Sequence, residues 1–248
     1  MERIRRALAR IGAWTDDLLF PEDVACLCCE HALGEGDTDR LCAGCRRELA
    51  RLAQMQEERA AKEPLPDGID ALHAAFVYEG AARRLVHRLK YESVRAAAAP
   101  LATQMVFLPS GEEEIIVPVP TDKRRERRRG FNQSALLAEQ IGKTLGMQVI
   151  PALRRVDMRR PQTGLSARER AQNLVGCMAA SDAVNGKHVL LVDDVCTTGA
   201  TLCEAARALR EAGAGHVAVF TAARAKGPER GEEDPFAVRP ERARWGKR

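Results

Sequence analysis

Apolar residues along the chain follow two alternating patterns. Short apolar runs bounded by Gly or Pro predict strands, and those at 115–117 and 189–192 are typical of strands buried on both faces of a parallel sheet. Segments with apolar residues every three or four positions predict helices. The predicted strands are 74–78, 115–117, 148–153, 189–192 and 216–221, and the predicted helices are 48–62, 81–89, 96–107, 133–145 and one that begins at Thr201. We therefore expect an α/β fold, with a parallel sheet flanked by helices.

Two adjacent acids, Asp193 and Asp194, follow the strand predicted at 189–192. In an open α/β sheet, ligands bind at the edge formed by the carboxyl ends of the strands. Small and hydroxyl residues come next and allow backbone N–H groups to converge on an anion at a helix N-terminus. They are Thr197, Thr198, Gly199, Ala200 and Thr201. The stretch offers acids for a sugar diol and donors for a phosphate, which a ribose 5-phosphate satisfies together.

Two other interpretations of this stretch are weaker. An ordinary buried strand and turn has no use for two adjacent acids followed by such a loop. An ATPase would need a phosphate-binding loop, and the nearest match, Gly142-Lys143-Thr144, has Leu137 where that loop needs glycine.

A run of basic residues follows the strand predicted at 115–117. Pro118-Val119-Pro120 ends that strand, since proline cannot continue a central strand. Six of the seven residues at 123–129 are basic, and Gly130-Phe131-Asn132-Gln133 come next. A solvated charged run is the ordinary interpretation. Because the run follows a strand tip in the same sheet as the two acids, we expect its arginines to neutralise a pyrophosphate.

The segment 154–170 is rich in arginine and has no apolar period. This composition predicts a flexible lid that orders over a charged ligand. Gln162, Arg168 and Arg170 are its expected ligand contacts, and a purely solvated loop is the alternative.

Five of the eight cysteines crowd together near the N-terminus. Two C-x-x-C pairs, Cys26 with Cys29 and Cys42 with Cys45, are typical of a tetrahedral Zn²⁺ site. Cys28 could replace either Cys26 or Cys29, and an iron–sulfur or redox-active thiol cluster is the alternative to zinc. Because the segment has few apolar residues, the metal would supply most of its folding energy, about 10 kcal/mol.

Composition narrows the class of protein. The chain has 248 residues, is 45% hydrophobic and carries a net charge of +4, as expected for a globular protein. It has neither an apolar run of membrane-spanning length nor the features of a signal peptide, so we expect a cytoplasmic protein without an integral membrane span. The uneven distribution of its basic residues favours phosphate-bearing partners.

The predicted organisation has four parts. Residues 1–20 form an amphipathic basic helix that docks against the neighbouring domain, with a membrane or a nucleic acid as the alternative surfaces. A zinc ribbon and a helix occupy 21–63, and the main domain occupies 64–225. Residues 226–248 form a basic tail that is expected to be disordered.

The segment 189–201 resembles the phosphoribosyl-pyrophosphate (PRPP) loop of the type I phosphoribosyltransferases. Together with the cysteine ribbon and several other motifs, it resembles the ComF/GntX family over about 20–224. The other motifs are Phe76-Val77-Tyr78, Leu89-Lys90-Tyr91, Pro118-Val119-Pro120, Arg129-Gly130-Phe131-Asn132-Gln133, Gln162-Thr163-Gly164-Leu165-Ser166, Arg170 and Asn173.

The resemblance implies a phosphoribosyltransferase domain behind a small N-terminal zinc ribbon. It implies that Asp193 and Asp194 are catalytic and hold the ribose hydroxyls, directly or through Mg²⁺, and that Thr197 to Thr201 cradle the 5′-phosphate. The other residues implied to bind PRPP are Pro118, Val119, Pro120, Arg129, Phe131, Asn132, Gln162, Arg168 and Arg170.

Three functions are consistent with these features. The first is a phosphoribosyltransferase that uses PRPP and Mg²⁺, acts on an unspecified acceptor and takes part in DNA uptake with other uptake proteins, a role that the family resemblance implies. The second is a non-catalytic, PRPP-responsive protein that binds single-stranded DNA, although an aromatic content of 4% is low for base stacking. The third is a structural scaffold without a ligand.

Overall fold

The part of the chain described by a computed structural model, residues 25–63, 65–106, 112–156 and 176–225, contains seven strands and six α-helices. The strands are β1 (Ala71–Val77), β2 (Ile115–Pro118), β3 (Gln148–Val149), β4 (Leu153–Arg155), β5 (Met178–Ala180), β6 (His188–Cys196) and β7 (His216–Arg224). The helices are α1 (Ala43–Ala60), α2 (Gly80–Tyr91), α3 (Ala98–Met105), α4 (Lys123–Arg129), α5 (Gln133–Leu145) and α6 (Ala200–Glu211). Short 3₁₀ helices occupy Arg95–Ala97 and Asp182–Val184.

Five parallel strands form the main sheet, in the order β1-β7-β6-β2-β3. Strands β4 and β5 form a separate antiparallel pair. The parallel sheet confirms the predicted α/β class. It also places the C-terminal ends of β2 and β6 side by side, because the two strands pair directly from Ile115 with Val189 to Pro118 with Val192.

Strand β6 is longer than the predicted strand at 189–192. It continues through both acids to Cys196, because β7 stays paired beside it as far as Arg224. Strand β2 stops earlier, at Pro118. The N–H that this proline lacks would face the β3 side, where pairing has already ended at Ile116 with Val149.

The predicted strand at 148–153 is wrong as a single element. Gln148–Val149 belongs to the main sheet, whereas Leu153–Arg155 pairs with Met178–Ala180. Between them the N–H of Ala152 donates to the carbonyl of Ile150 at 2.8 Å, which closes a tight turn around Pro151.

The basic run at 123–129 is a short helix, α4, and none of its residues is buried. Asp122 caps its N-terminus by accepting from the N–H of Arg124 at 2.8 Å and of Arg125 at 3.3 Å. Gly130, at φ 80°, ends it in the left-handed conformation that glycine favours. The arginines of α4 are therefore displayed from a capped helix beside the tip of β2.

Apolar side chains of the sheet are buried on both faces. Alternate residues of β6 pack into two different clusters, with Leu190 and Val192 in one and Val189 and Leu191 in the other. The first cluster contains residues of α1, α2, α3 and α5, and the second contains residues of α6 and of the β4–β5 pair. The cysteine segment joins the first cluster through buried side chains such as Leu27.

Parts of the predicted organisation lie outside the described residues. They are the N-terminal helix at 1–20, most of the lid at 154–170 and the tail at 226–248. Among the helices that are described, none has the length and apolar character needed to cross a bilayer.

Candidate functional site

A cleft of about 310 Å³ opens at the carboxyl edge of the sheet, between the tips of β2 and β6. Ligands of open α/β sheets bind at this edge. The lining residues are Tyr78, Lys90, Tyr91, Val119, Pro120, Thr121, Arg125, Arg129, Gln133, Ser134, Arg155, Asp193, Asp194, Val195, Thr197 and Thr201.

The two acids at the end of β6 are held by different parts of the protein. The hydroxyl of Ser134, at the start of α5, donates to Asp193 Oδ1 at 2.7 Å, and the backbone N–H of Asp194 donates to the same oxygen at 2.9 Å. Asp194 is buried, and its Oδ1 forms an ion pair with Lys90 Nζ at 2.7 Å. Each carboxylate is therefore fixed in position before a ligand arrives.

Burial and neighbouring charges shift the pKa of Asp193 and of Lys90. Burial, and then the neighbouring charge of Asp194, raise the pKa of the Asp193 carboxyl to about 7. Burial opposes the charge on Lys90, but the negative charge of Asp194 keeps the pKa of its ammonium above the ordinary value. Negative charge is thus costly at Asp193 when the cleft holds no additional cation.

The loop after β6 leads directly into helix α6. Gly199 precedes this helix at φ 77°, and a Cβ there would lie 3.2 Å from Pro66 Cγ. Both the backbone conformation and the close approach of Pro66 favour glycine at this position. The N–H of Ala200 donates to Thr198 Oγ1 at 3.4 Å, and the side chains of Thr197 and Thr201 line the cleft.

Three arginines line the cleft together with the acids. Arg125 and Arg129 come from α4, and Arg155 comes from β4. Arg129 Nη1 donates to Gln133 Oε1 at 3.0 Å, and Arg155 Nε donates to the Pro120 carbonyl at 3.0 Å. Within the described part of the chain, none of the three arginines forms a salt bridge. With Lys90 they bring four cations to a cleft that holds two acids.

A larger cavity, of about 580 Å³, lies between the cysteine segment and α2. Two of its three arginines already have acidic partners: Arg88 pairs with Glu30 at 3.1 Å and with Glu92 at 3.2 Å, and Arg84 pairs with Glu48 at 2.6 Å. It has neither adjacent acids nor a phosphate-binding loop, so the cleft at the sheet edge is the better candidate site.

The structure brings together part of the set of residues predicted from the sequence. The predicted residues that line the cleft are Val119, Pro120, Arg129, Asp193, Asp194, Thr197 and Thr201. Thr198 and Gly199 form the turn before α6 and Ala200 begins that helix, and none of the three lines the cleft. Gln162, Arg168 and Arg170 lie outside the described residues.

Three other predicted residues serve the framework around the cleft. Pro118 is buried in β2. Phe131 is buried beneath the guanidinium of Arg95, which lies 4.9 Å from the ring centroid. Asn132 caps α5 by accepting from the N–H of Ser134 at 3.1 Å, and its amide donates to the Val119 carbonyl at 3.0 Å. Asn132 thereby holds the β2 tip against the helix that carries Ser134.

Sequence reasoning did not place Lys90, Ser134 or Arg155 in the site. Lys90 and Ser134 stand within or beside motifs that carry the family resemblance. Nothing else in the sequence indicated that they line the site. Arg155 falls in the segment 154–170 that was predicted as a lid, but it lies in strand β4, and its place beside Pro120 depends on the turn at Pro151 and on the pairing of β4 with β5.

The sulfur atoms of Cys26, Cys29, Cys42 and Cys45 lie within 4.8 Å of one another. The Sγ atoms of Cys29 and Cys42 are 3.7 Å apart. Tetrahedral zinc with Zn–S bonds of about 2.3 Å requires sulfurs about 3.8 Å apart. The cluster is therefore compatible with a zinc site.

Cys28 is not among these four mutually close cysteines. Its Sγ accepts from Arg84 Nε at 3.4 Å and lies 3.6 Å from the Ala81 carbonyl, both on α2. Of the alternatives left open by the sequence, this geometry favours Cys26 and Cys29 as the ligands of the first pair.

Backbone donors favour the thiolate form of Cys26. Burial opposes ionisation, but N–H groups, with that of Cys42 the strongest contributor, lower the pKa of the Cys26 thiol to about 7. The N–H of Cys42 lies 3.3 Å from Cys26 Sγ, and the N–H of Cys28 lies 3.4 Å from it. Metal ligation requires the thiolate, so these donors suit a ligand.

Comparison with known proteins agrees with this geometry. Residues 128–240 match the family model of the phosphoribosyl transferase domain. The chain is 38% identical to Competence protein F of Haemophilus influenzae over 146 residues, which are 57% of this chain and 61% of that protein. It is 37% identical to DNA utilization protein YhgH of Escherichia coli over 146 residues, 55% of this chain and 64% of that protein.

The chain is similar in sequence to the ComF competence proteins. A longer match, 26% identical over 211 residues, is to Competence protein ComFC of Bacillus subtilis and covers 82% of this chain and 85% of that protein. The matches to the Haemophilus and Escherichia proteins span less than two thirds of those proteins. These findings confirm the resemblance inferred from the sequence and the phosphoribosyltransferase-type fold.

Because the pKa of Asp193 is raised in the folded protein, we expect its contribution to the free energy of unfolding to decrease as the pH rises. Its pKa is about 7 in the folded protein and about 3.9 in an unfolded chain, so the folded state binds more protons between these values. The contribution of Asp193 to stability is fully present below pH 4 and is lost as the pH rises through 7. We expect Asp193→Asn to raise the melting temperature at pH 8 and to have little effect at pH 4, as measured by thermal denaturation.

Asp122→Asn is the matched control. Backbone N–H groups, with that of Arg124 the strongest contributor, lower the pKa of the Asp122 carboxyl. Its contribution is therefore present above the unfolded pKa and lost in acid, so this variant should destabilise at pH 8 more than at pH 3. A destabilising effect of Asp193→Asn that is the same at pH 4 and pH 8 would contradict the assigned pKa.

Proposed function

We propose that this protein binds PRPP with Mg²⁺ in the cleft at the sheet edge and transfers its ribose 5-phosphate to an acceptor, in a process of DNA uptake. One observation carries the proposal. An acid pair and the loop from Thr197 to Thr201, both at the end of β6, meet three arginines and a lysine at a cleft of about 310 Å³.

Each group in the cleft has a part in this proposal. Asp193 and Asp194 hold the ribose hydroxyls or the Mg²⁺ that accompanies the ligand. The loop from Thr197 to Thr201 binds the 5′-phosphate through backbone N–H groups and hydroxyls at the start of α6. The expected lid contacts are Gln162, Arg168 and Arg170.

The proposed reaction is displacement at C1 of the ribose. The bond from C1 to the pyrophosphate oxygen breaks while the acceptor forms a bond to C1, and the pyrophosphate leaves with the bonding electrons. Bound Mg²⁺ would supply charge neutralisation for the leaving group. Arg125, Arg129 and Arg155 add fixed cations on the same side, and such preorganised charge is a large term in catalysis.

A second candidate function is the binding of single-stranded DNA without turnover. An exposed basic and aromatic surface favours it: the Arg129 guanidinium lies 5.2 Å from the Tyr91 ring, and that ring lies 4.8 Å from His87. Tyr91 is 59% exposed beside the arginines of α4. Arginine and aromatic side chains together suit a single strand. The names of the relatives, which refer to competence and DNA utilization, support a DNA-related role.

Calorimetric titration of PRPP with Mg²⁺ tests the first proposal. We expect the wild-type protein to bind, and the double variant Asp193→Asn/Asp194→Asn to lose at least about 100-fold in affinity, because two charged ligand contacts are removed. The matched control is Glu57→Gln/Glu58→Gln, an adjacent acid pair exposed on α1, which should bind as the wild type does.

Two outcomes of this titration would contradict the proposal. One is the absence of PRPP binding to folded wild-type protein. The other is equal affinity of the wild type and the acid-pair variant. A folded protein that ignores PRPP but binds single-stranded DNA, with an affinity that falls steeply as salt rises, would support the second function.

We further propose that the four-cysteine cluster holds a structural Zn²⁺. Cys26→Ser and Cys45→Ser should each lose the metal, because a tetrahedral site needs all four thiolates. Cys28→Ser should retain one zinc per chain, since its sulfur faces Arg84 and lies outside the cluster. Zinc content measured by elemental analysis, with protease sensitivity as a second readout, checks this. Retention of zinc in Cys45→Ser, or its loss in Cys28→Ser, would contradict the assigned ligand set.

A further inference from the structure

The buried ion pair between Lys90 and Asp194 occupies one side of the cleft. Lys90 stands in the last turn of α2 and reaches Asp194 Oδ1 at 2.7 Å. Only 19% of the Lys90 side chain and 11% of the Asp194 side chain are exposed. The lysine thus covers a carboxylate that the proposed function, on which this inference rests, requires for the ligand.

A ligand that uses Asp194 has to change this pair. A divalent cation at Asp194 would bring a second positive charge to the oxygen that Lys90 contacts, and like charges at that spacing repel each other. Asp193 is not a replacement partner for the lysine, because in the proposed function it holds the ribose hydroxyls or the metal together with Asp194, and its Oδ1 already accepts from Ser134 and from the Asp194 backbone. The ammonium therefore needs a new anion when the metal arrives.

Lysine is suited to such an exchange. Its ammonium is a compact charge with three donors on a flexible four-carbon stem, whereas the planar fork of arginine has a fixed geometry. Arg125, Arg129 and Arg155 also line the cleft, and their charges draw a polyanion into it. The anion that arrives beside Lys90 together with the metal is then the pyrophosphate group of the ligand.

We propose that Lys90 exchanges partners: it neutralises Asp194 in the free protein and binds the pyrophosphate group once Mg²⁺ and the ribose occupy the acids. Lys90 thereby makes the cleft selective for a pyrophosphorylated ribose over ribose 5-phosphate, which brings no second anion. It is a residue of ligand specificity, distinct from the acids that hold the sugar.

The test compares three probes on wild type, Lys90→Met and the control Lys143→Met, an exposed lysine of α5. The probes are PRPP with Mg²⁺, inorganic pyrophosphate with Mg²⁺, and ribose 5-phosphate. For Lys90→Met we expect affinity for PRPP and for pyrophosphate to fall about 10- to 100-fold, as for a lost charged hydrogen bond. Affinity for ribose 5-phosphate should stay within about threefold, because the phosphate loop is intact and Asp194 is uncovered.

A purely structural role for Lys90 gives a different pattern. If Lys90 only holds Asp194 in place, all the probes that use the acid pair weaken together, and ribose 5-phosphate falls as far as PRPP. That result overturns the proposal, as does unchanged PRPP affinity in Lys90→Met. Failure of the proposed function looks different again, since the wild type itself then does not bind PRPP.

A second variant keeps the proposal testable if Lys90→Met does not fold. Lys90→Met leaves Asp194 buried without its counter-ion, which can destabilise the protein. Lys90→Gln can still donate a hydrogen bond to Asp194 but carries no charge for pyrophosphate. We expect it to keep the fold, with melting checked in parallel, and to show the same selective loss of PRPP and pyrophosphate binding. Retention of wild-type PRPP affinity by folded Lys90→Gln overturns the proposal.

Discussion

Two carboxylates held side by side at the end of a buried strand are the constraint on which the rest of the site depends. Adjacent negative charges away from water repel each other, and the protein opposes this with a hydroxyl from Ser134 and an ammonium from Lys90. Burial, and then the remaining repulsion from Asp194, raise the pKa of the Asp193 carboxyl. A site of this kind favours a ligand that brings a cation and hydroxyl donors to the acids.

The sheet keeps the acids together despite their repulsion. Strand β6 extends beyond the end of β2 because β7 pairs with it as far as Cys196 and Arg224. The acids therefore stand on a strand that is hydrogen-bonded on one side and open to the cleft on the other. The same strand leads through Gly199 into α6, so the acid pair and the loop from Thr197 to Thr201 share one rigid support.

The cysteine segment is joined to this site through α2. Glu48, on α1, accepts from the backbone N–H of Ala81 at 3.1 Å and from Arg84 at 2.6 Å, so that it caps the N-terminus of α2. The other end of α2 carries Lys90 into the cleft. A metal that fixes the start of α1 would therefore also fix the helix from which Lys90 reaches Asp194.

The sequence predicted the parts of the site whose signals are local. The acids and the loop from Thr197 to Thr201 follow a buried strand directly. The two cysteine pairs have the spacing of a zinc site. Lys90 lay beyond such reasoning, because its apolar neighbours indicate only an amphipathic helix and its partner is far away in the chain. Asn132 belongs to a family motif, but its side chain caps α5 and lines no part of the cleft. Arg155 reaches the cleft only through a turn at Pro151 and a strand pairing that no local pattern predicts.

A crystal structure of the full chain with Mg²⁺ and PRPP tests the central claim most directly. The account predicts the 5′-phosphate among the N–H groups of Thr197 to Thr201 and the ribose hydroxyls or the metal at Asp193 and Asp194. Binding of the sugar phosphate elsewhere, such as in the cavity between Cys29 and Arg88, would contradict it. An occupied cleft in which neither acid touches ribose or metal would contradict it equally.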